Sequence, residues 1–264
     1  MVDNKQVASS DNLSYNIKMH KFGILGYGYV GKATQKGLLN DRDVVVYDTA
    51  SKDTNKSDLY EADTIFICIP TNDDKDIDII IEEIKDLQKY NPGVDIIIRS
   101  TLPLGTCKKI QDEVGLIIYI PEFLRERYWD TDCFRRPIVY GYDGGYLPKW
   151  LQHEEIYQCS TAEAELVKMF SNNFAVMRIA FANVFYDLSQ SVGADYNKVK
   201  DLFFKVEHDQ SYMEVPGHDG TRGFGGKCLP KDLDFLISTL DEKGIDQNWF
   251  KHIRELNKGW KEKF

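Results

Sequence analysis

The sequence predicts an α/β protein, a doubly wound parallel sheet followed by an all-helical domain built on one long helix. Three observations predict it. Short apolar runs alternate with polar-faced helical stretches through the first half of the chain. A glycine-rich turn joins the first apolar run to the first helical stretch. Beyond residue 160 the apolar spacing becomes that of sustained helix. With 264 residues, 42% hydrophobic and 28% charged, the chain has enough apolar surface for one large domain or two modest ones.

The runs at 22–25, 44–47, 64–69, 96–98 and 117–120 read as buried strands, because each is nearly continuous in β-branched or aromatic residues. Helices are expected between them at 32–39, 77–90 and 108–114. Ser160 with Glu163 forms a capping box at the start of a further helix. Leu166, Phe170, Met177, Phe181, Leu188 and Val192 then recur at helical spacing until Gly193 supplies a C-terminal cap. Such a helix is about 45 Å long at 1.5 Å per residue, long enough to form a homodimer interface. Shorter helices follow at 197–206, from Pro230 to Gly244, and at 247–258. Residues 1–17 read as a flexible arm, 18–158 as the sheet domain and 159–264 as the helical domain.

A formal net charge of -9 argues against a nucleic-acid partner, since phosphate-backbone binding needs an excess of cations. No apolar run reaches the roughly 18–20 residues of a membrane span, and no signal-peptide core is present, so no membrane partner is expected. The five cysteines have no metal or disulfide spacing. They are expected to be reduced, in a cytoplasmic setting.

Gly26-Tyr27-Gly28-Tyr29-Val30-Gly31 is a Gly-x-Gly-x-x-Gly run between a strand and a helix. The first glycine allows the tight turn, the second close approach of a pyrophosphate, and the third the packing of helix on strand. The helix N-terminus offers free N–H groups to phosphate. Asp48 ends the second strand, where an acid can bind ribose hydroxyls and disfavour a 2′-phosphate. The sheet is therefore expected to be Rossmann-like and its cofactor NAD rather than NADP.

Gly223-Phe224-Gly225-Gly226-Lys227-Cys228-Leu229-Pro230-Lys231-Asp232 carries a thiol at the edge of a helix. The helix N-terminus, Lys227 and Lys231 are each expected to lower its pKa, making Cys228 a nucleophile. Asp232 could hold a water or act as a base. The other cysteines read as small apolar residues.

These segments resemble the UDP-glucose/GDP-mannose dehydrogenase family. The resemblance runs in order through Gly26–Gly31, Pro70-Thr71, Ser100–Thr106, Pro121–Glu126, then Glu165, Lys168 and Asn172, and finally Gly223–Asp232. It implies a four-electron oxidation of a nucleotide sugar with two NAD, through a cysteine-bound intermediate. It gives catalytic roles to Cys228, Lys168, Asn172, Asp232, Glu126 and Thr101, with Lys168 stabilising oxyanion charge. It places Thr71, Thr101 and Lys231 beside the cofactor, with Gly26, Gly28, Tyr29, Val30, Gly31 and Asp48. It places Glu122, Phe123, Leu124, Arg125 and Gly225 along the sugar, with Lys168 and Asn172. No metal is implied. Asn72 stands where the family often has a second proline, and the family's third domain would follow Phe264, where this sequence ends. Two alternatives stay open from the residues: a non-catalytic NAD- or nucleotide-sugar-binding module, and a two-electron hydroxyacid-type dehydrogenase.

Overall fold

A computed structural model describes residues 20–134, 137–153, 155–206, 214–217, 219–242 and 246–261. The expected arm at 1–17 and the expected helix end at Gly244 lie outside these residues.

The first strand, β1 (Phe22–Leu25), is wholly buried and pairs in parallel with β2 (Val44–Tyr47) on one side and β3 (Thr64–Ile67) on the other. The sheet continues in parallel through β4 (Asp95–Ile98) and β5 (Ile118–Tyr119). The order β2-β1-β3-β4-β5 puts a switch point between β1 and β3, where ligands of doubly wound sheets bind at the carboxyl ends of the strands. Alternate strand residues face opposite ways. Ile65, Ile67, Ile96 and Ile98 pack with Ile77, Ile80, Ile81 and Ile84, while Phe22, Ile24, Phe66 and Ile97 build the core on the other side. Burial on both faces is why these strands read as unbroken apolar runs.

Two further strands extend the sheet and correct the expectation of an all-parallel one. The sixth, β6 (Ile138–Gly141), runs antiparallel to β5, and β7 (Ile156–Cys159) runs parallel to β6. Both are four residues long. The edge strand β7 leaves Tyr157 and Gln158 exposed, so it lacks the apolar continuity that marks the inner strands.

The helix α1 (Tyr29–Ala33) begins at the glycine turn, three residues before the expected start, and continues as a π-helical stretch through Thr34–Leu38. Asp73 and Asp76 form a capping box at the head of α2 (Asp74–Tyr90). The Asn72 N–H also donates to Asp76, a bond that a proline at this position could not make. After α3 (Thr106–Val114) comes a short helix, α4 (Trp129–Asp132), which the sequence pattern did not reveal.

One residue separates β7 from α5 (Thr161–Ser191), 31 residues long and so about 46 Å. Its capping box forms as expected: Ser160 N–H donates to Glu163 (2.8 Å) and Glu163 N–H to the Ser160 hydroxyl (3.2 Å). Gly193 follows at φ +66°, the left-handed conformation of a helix end. The remaining helices are α6 (Tyr196–Val206), α7 (Cys228–Glu242) and α8 (Asn248–Lys261). Val176 and Ala180 of α5 pack with Phe224, with Leu233 and Ile237 of α7, and with Ile253 and Trp260 of α8.

The apolar stripe of α5 faces the other way from a core stripe. Phe170 is 75% exposed and Phe181 52%, and Leu166 and Val192 are exposed with them. The Leu188 side chain lies outside those described. The buried side is lined by Ala164, Met169, Ala175, Val176, Ala180 and Ala182. These mostly small residues let neighbouring elements approach closely, and the large aromatics are left outside.

The last helix of the cysteine segment begins at Cys228 rather than Pro230. Pro230 is its third residue. The first-turn N–H groups have no partner within the helix, so a proline there removes no helical hydrogen bond.

Candidate functional site

The turn after β1 sits at the switch point of the sheet. Gly26 has φ +90°, and a Cβ there would lie 2.8 Å from the Cys68 carbonyl oxygen. A Cβ on Gly31 would lie 2.3 Å from the Gly26 carbonyl oxygen, so helix and turn are in direct contact. At Gly28 a Cβ would meet nothing within 4 Å, and no side chain caps the helix that starts after it. The N–H groups of Tyr29 and Val30 therefore face open space at a helix N-terminus, which suits a pyrophosphate. Asp48, at the tip of β2, accepts from Tyr27 N–H (2.6 Å) and Ala50 N–H (2.8 Å), which holds its carboxylate beside the turn. These residues fit a dinucleotide.

A buried ionic network stands at the same edge of the sheet. Lys168, on the first half of α5, is 2% exposed. Its ammonium donates to Glu122 (3.2 Å) and to Asn172 (3.4 Å), and lies 5.6 Å from the centre of the Phe123 ring. Burial alone would lower its pKa. The carboxylates of Glu122 and Asp232, joined by Cys228 when it is ionised, outweigh that effect and hold it above the usual lysine value. Glu122 lies three residues beyond the end of β5, and its second oxygen accepts from Leu124 N–H. That N–H is thus engaged within the protein and is not free to meet a sugar.

Four residues beyond Lys168, Asn172 lies on the same helix face and donates to Asp232 of α7. The other oxygen of Asp232 is buried and accepts no hydrogen bond; the Lys231 ammonium stands 3.6 Å from it. The expected catalytic residues Lys168, Asn172 and Asp232 are therefore brought into one network that includes Glu122.

Cys228 opens α7, and its sulfur lies 3.3 Å from the Tyr29 hydroxyl. The expected low thiol pKa is reversed. Burial pushes the thiol up most strongly and the Glu122 carboxylate adds to this. The Tyr29 hydroxyl, Lys168 and Lys231 pull it down without cancelling the rise. The adjacent lysine of the chain, Lys227, is exposed and not among these influences.

Other expected site residues stand less centrally. Glu126 is exposed at the head of a short 3-10 turn (Glu126–Tyr128) and acts on the site as a charge felt by Tyr29. Thr71 and Thr101 are buried side by side, with the Thr71 hydroxyl donating to the Thr101 carbonyl. Arg125 turns away to a paired contact with Asp132 (2.9 and 2.8 Å). Lys231 lies over Phe235 (5.6 Å). A Cβ on Gly225 would lie 3.0 Å from the Lys261 ammonium. Arg222 is buried against Asn183 (3.3 Å) and over Tyr186 (4.7 Å).

Three positioning contacts are absent from the sequence reading. Asn257 of α8 accepts from Phe224 N–H (2.7 Å) and donates to its carbonyl (2.9 Å), clamping the cysteine segment. Glu165 of α5 accepts from the N–H groups of Gly105 (2.7 Å) and Cys107 (2.6 Å), and so caps α3. Buried Arg99 donates to Thr34 (3.3 Å) and the Ile120 carbonyl (3.1 Å). Only Glu165 carried a signal, its three-residue spacing from Lys168. Among the described residues no group of His, Cys, Asp or Glu side chains could hold a metal.

A doubly wound sheet, with a helical part that brings a buried lysine and a thiol to the carboxyl ends of its strands, is the architecture of the chain. Solved structures have this fold: the UDP-glucose dehydrogenase of Pyrobaculum islandicum superposes with a TM-score of 0.75 at 21% identity, covering 94% of this chain and 70% of that one. The UDP-D-ManNAc dehydrogenase of Pyrococcus horikoshii gives 0.74 at 21%, covering 90% and 68%. Residues 162–259 match the central domain of the UDP-glucose/GDP-mannose dehydrogenase family. The UDP-glucose 6-dehydrogenase of Campylobacter jejuni is 28% identical over 221 residues, 76% of this chain and 54% of that protein. That of Rickettsia conorii is 31% identical over 223 residues, 76% and 50%. The chain belongs to the UDP-glucose/GDP-mannose dehydrogenase family, and it spans about half the length of the curated relatives it matches.

Proposed function

We propose that the chain oxidises the C6 alcohol of a nucleotide sugar to the carboxylate, with UDP-glucose the favoured substrate and NAD the oxidant. The observation that carries this reading is the meeting of three features at one sheet edge: an open glycine turn, a buried Lys168–Glu122–Asn172–Asp232 network, and the Cys228 thiol on the first turn of α7. A binding module has no need of the last two together.

NAD, when bound, accepts a hydride in each of the two oxidation steps. The N–H groups of Tyr29 and Val30, the space over Gly28 and the Asp48 carboxylate would hold it. Lys168, kept cationic by its acidic neighbours, stabilises negative charge on the reacting oxygen. Asn172, fixed between Lys168 and Asp232, orients that oxygen. The unbonded oxygen of Asp232 is free to take a proton from the alcohol or from the hydrolytic water. Cys228 is protonated at rest, so on attacking the aldehyde its sulfur bonds to the carbonyl carbon and its proton passes to the former carbonyl oxygen, giving a thiohemiacetal. Oxidation of that adduct leaves a thioester, and water releases the acid. Thr101 and Glu126 belong to the proton and water transfers in this reading, and Glu122 with Phe123 lies along the sugar, while the N–H groups of Leu124 and Arg125 are held by Glu122 and Asp132.

We keep 18–158 as the cofactor unit and 159–264 as the substrate and dimerisation unit. The exposed aromatic side of α5 supports a homodimer. A cytoplasmic setting is supported by five free cysteines. Among the described residues no helix is long and apolar enough to cross a membrane.

The test is NADH release. With NAD and UDP-glucose the chain should yield two NADH per sugar, and Cys228→Ser should abolish formation of the acid. A yield of one NADH per substrate, unaffected by Cys228→Ser, would indicate a two-electron dehydrogenase instead. Calorimetric NAD binding without NADH release from UDP-glucose, GDP-mannose or N-acetylated UDP-hexosamines would indicate a binding module.

A further inference from the structure

Tyr29 reached the site reading as a cofactor residue, by its place in the glycine turn. Its side chain goes elsewhere. The ring runs out from the first residue of α1 to the other half of the molecule, where its hydroxyl lies 3.3 Å from the Cys228 sulfur, 199 residues away in sequence. Sulfur and oxygen are thus within hydrogen-bond distance for this pair. We infer that Tyr29 is the positioning residue of the Cys228 thiol: its hydroxyl donates to the sulfur and favours the thiolate. That role rests on Cys228 being the nucleophile proposed above.

Either atom can donate while the thiol keeps its proton, and the hydroxyl becomes the donor once the sulfur is ionised. Burial, Glu122, Cys228 and Glu126 all push the Tyr29 phenol far above its ordinary range, so it keeps its proton. A phenol that stays protonated can only give a hydrogen bond to an anionic sulfur. The charged groups around the thiol come from every element near it: Glu122 after β5, Lys168 on α5 and Lys231 on α7. Glu122 opposes the thiolate. The two lysines favour it but are shared with Glu122, Asn172 and Asp232. Among the described residues the Tyr29 hydroxyl makes no other hydrogen bond, so its proton is available to an ionised sulfur. Because Tyr29 is also the residue after Gly28, the same short segment that faces a dinucleotide fixes the nucleophile.

Alkylation of Cys228 by iodoacetamide, followed in the full chain by peptide mass spectrometry across pH, tests this directly. Tyr29→Phe keeps the ring and removes the donor. Its alkylation midpoint should move to higher pH, with the rate below the midpoint about tenfold lower than wild type, as for loss of a hydrogen bond to a charged group. A profile superimposable on wild type, with the circular dichroism unchanged, would overturn the assignment. If Tyr29→Phe does not fold, site-specific 3-fluorotyrosine at position 29, a stronger donor, should move the midpoint downward, and no movement would overturn it equally. A packing role alone would shift neither midpoint. The assay needs neither NAD nor sugar, so a null NADH screen with a shifted midpoint would sink the proposed reaction and leave the thiol's partner standing, and the converse result would do the opposite.

Discussion

Lys168 and Glu122 are a charge pair taken almost wholly out of water, each with 2% of its side chain exposed. Removing one member leaves the other ionised and buried, which is far worse than removing both. Glu122→Gln should therefore lower unfolding stability by about 3–5 kcal/mol in urea titration, and adding Lys168→Met should recover much of it. Equal losses in the single and double variants would show that the two charges are not coupled. Part of this network was legible in the sequence: the four-residue step from Lys168 to Asn172 already placed both on one helix face. The behaviour of the thiol was not. Its chain neighbours Lys227 and Lys231 are visible in the sequence, but the burial that raises its pKa and the carboxylate of Glu122 arrive from across the fold. The contact with Tyr29 was hidden for the same reason.

At the scale of elements, Glu165 ties the long helix to the head of α3. Burial is the main influence on its carboxyl and raises its pKa above 4.5, although the N–H groups of Cys107 and Gly105 pull the other way. A raised folded-state pKa contributes stability that is fully present below 4.5 and is lost as pH rises through the folded value. Glu165→Gln lacks this dependence. The stability gap between wild type and Glu165→Gln should therefore shift in favour of Glu165→Gln between acid and neutral pH, as read from chemical denaturation at several pH values. A gap shifting toward wild type would mean that the two N–H bonds outweigh burial. The inner strands were legible because burial on both faces makes them apolar throughout. The outer pair was not: β7 is half exposed and so lacks an apolar run. Pro230 marked α7 correctly but not its first residue, because a proline is tolerated in the first turn.

For the whole molecule, the informative surface is the outer side of α5. Phe170 and Phe174 stack on one another, Phe181 and Phe185 pack at a tilt of 33°, and all four are exposed. Val199, Leu202, Phe203 and Val206 of α6 are exposed as well. Apolar side chains in that number on a lone chain point to association. Sedimentation should give a dimer for the wild type, and Phe170→Glu with Phe181→Glu should give a monomer of unchanged helicity; a wild-type monomer at micromolar concentration would refute the interface. The sequence supplied the spacing of these residues but not their direction, because the core-facing side of the helix is built of alanines that leave little apolar signal.

The same helix behaves as a peg with a single correct rotation. Glu165, Lys168 and Asn172 occupy successive steps of three and four residues, and they engage α3, the segment after β5, and α7 in turn. Each residue along a helix turns the side chain by about 100°. At the position just before Lys168, Val167 already faces outward and is exposed. One residue lost between Glu165 and Lys168 would therefore send the ammonium to the exposed position of Val167 and Met169 toward Glu122. The single-residue link at Ser160, with its reciprocal cap to Glu163, fixes where the counting starts.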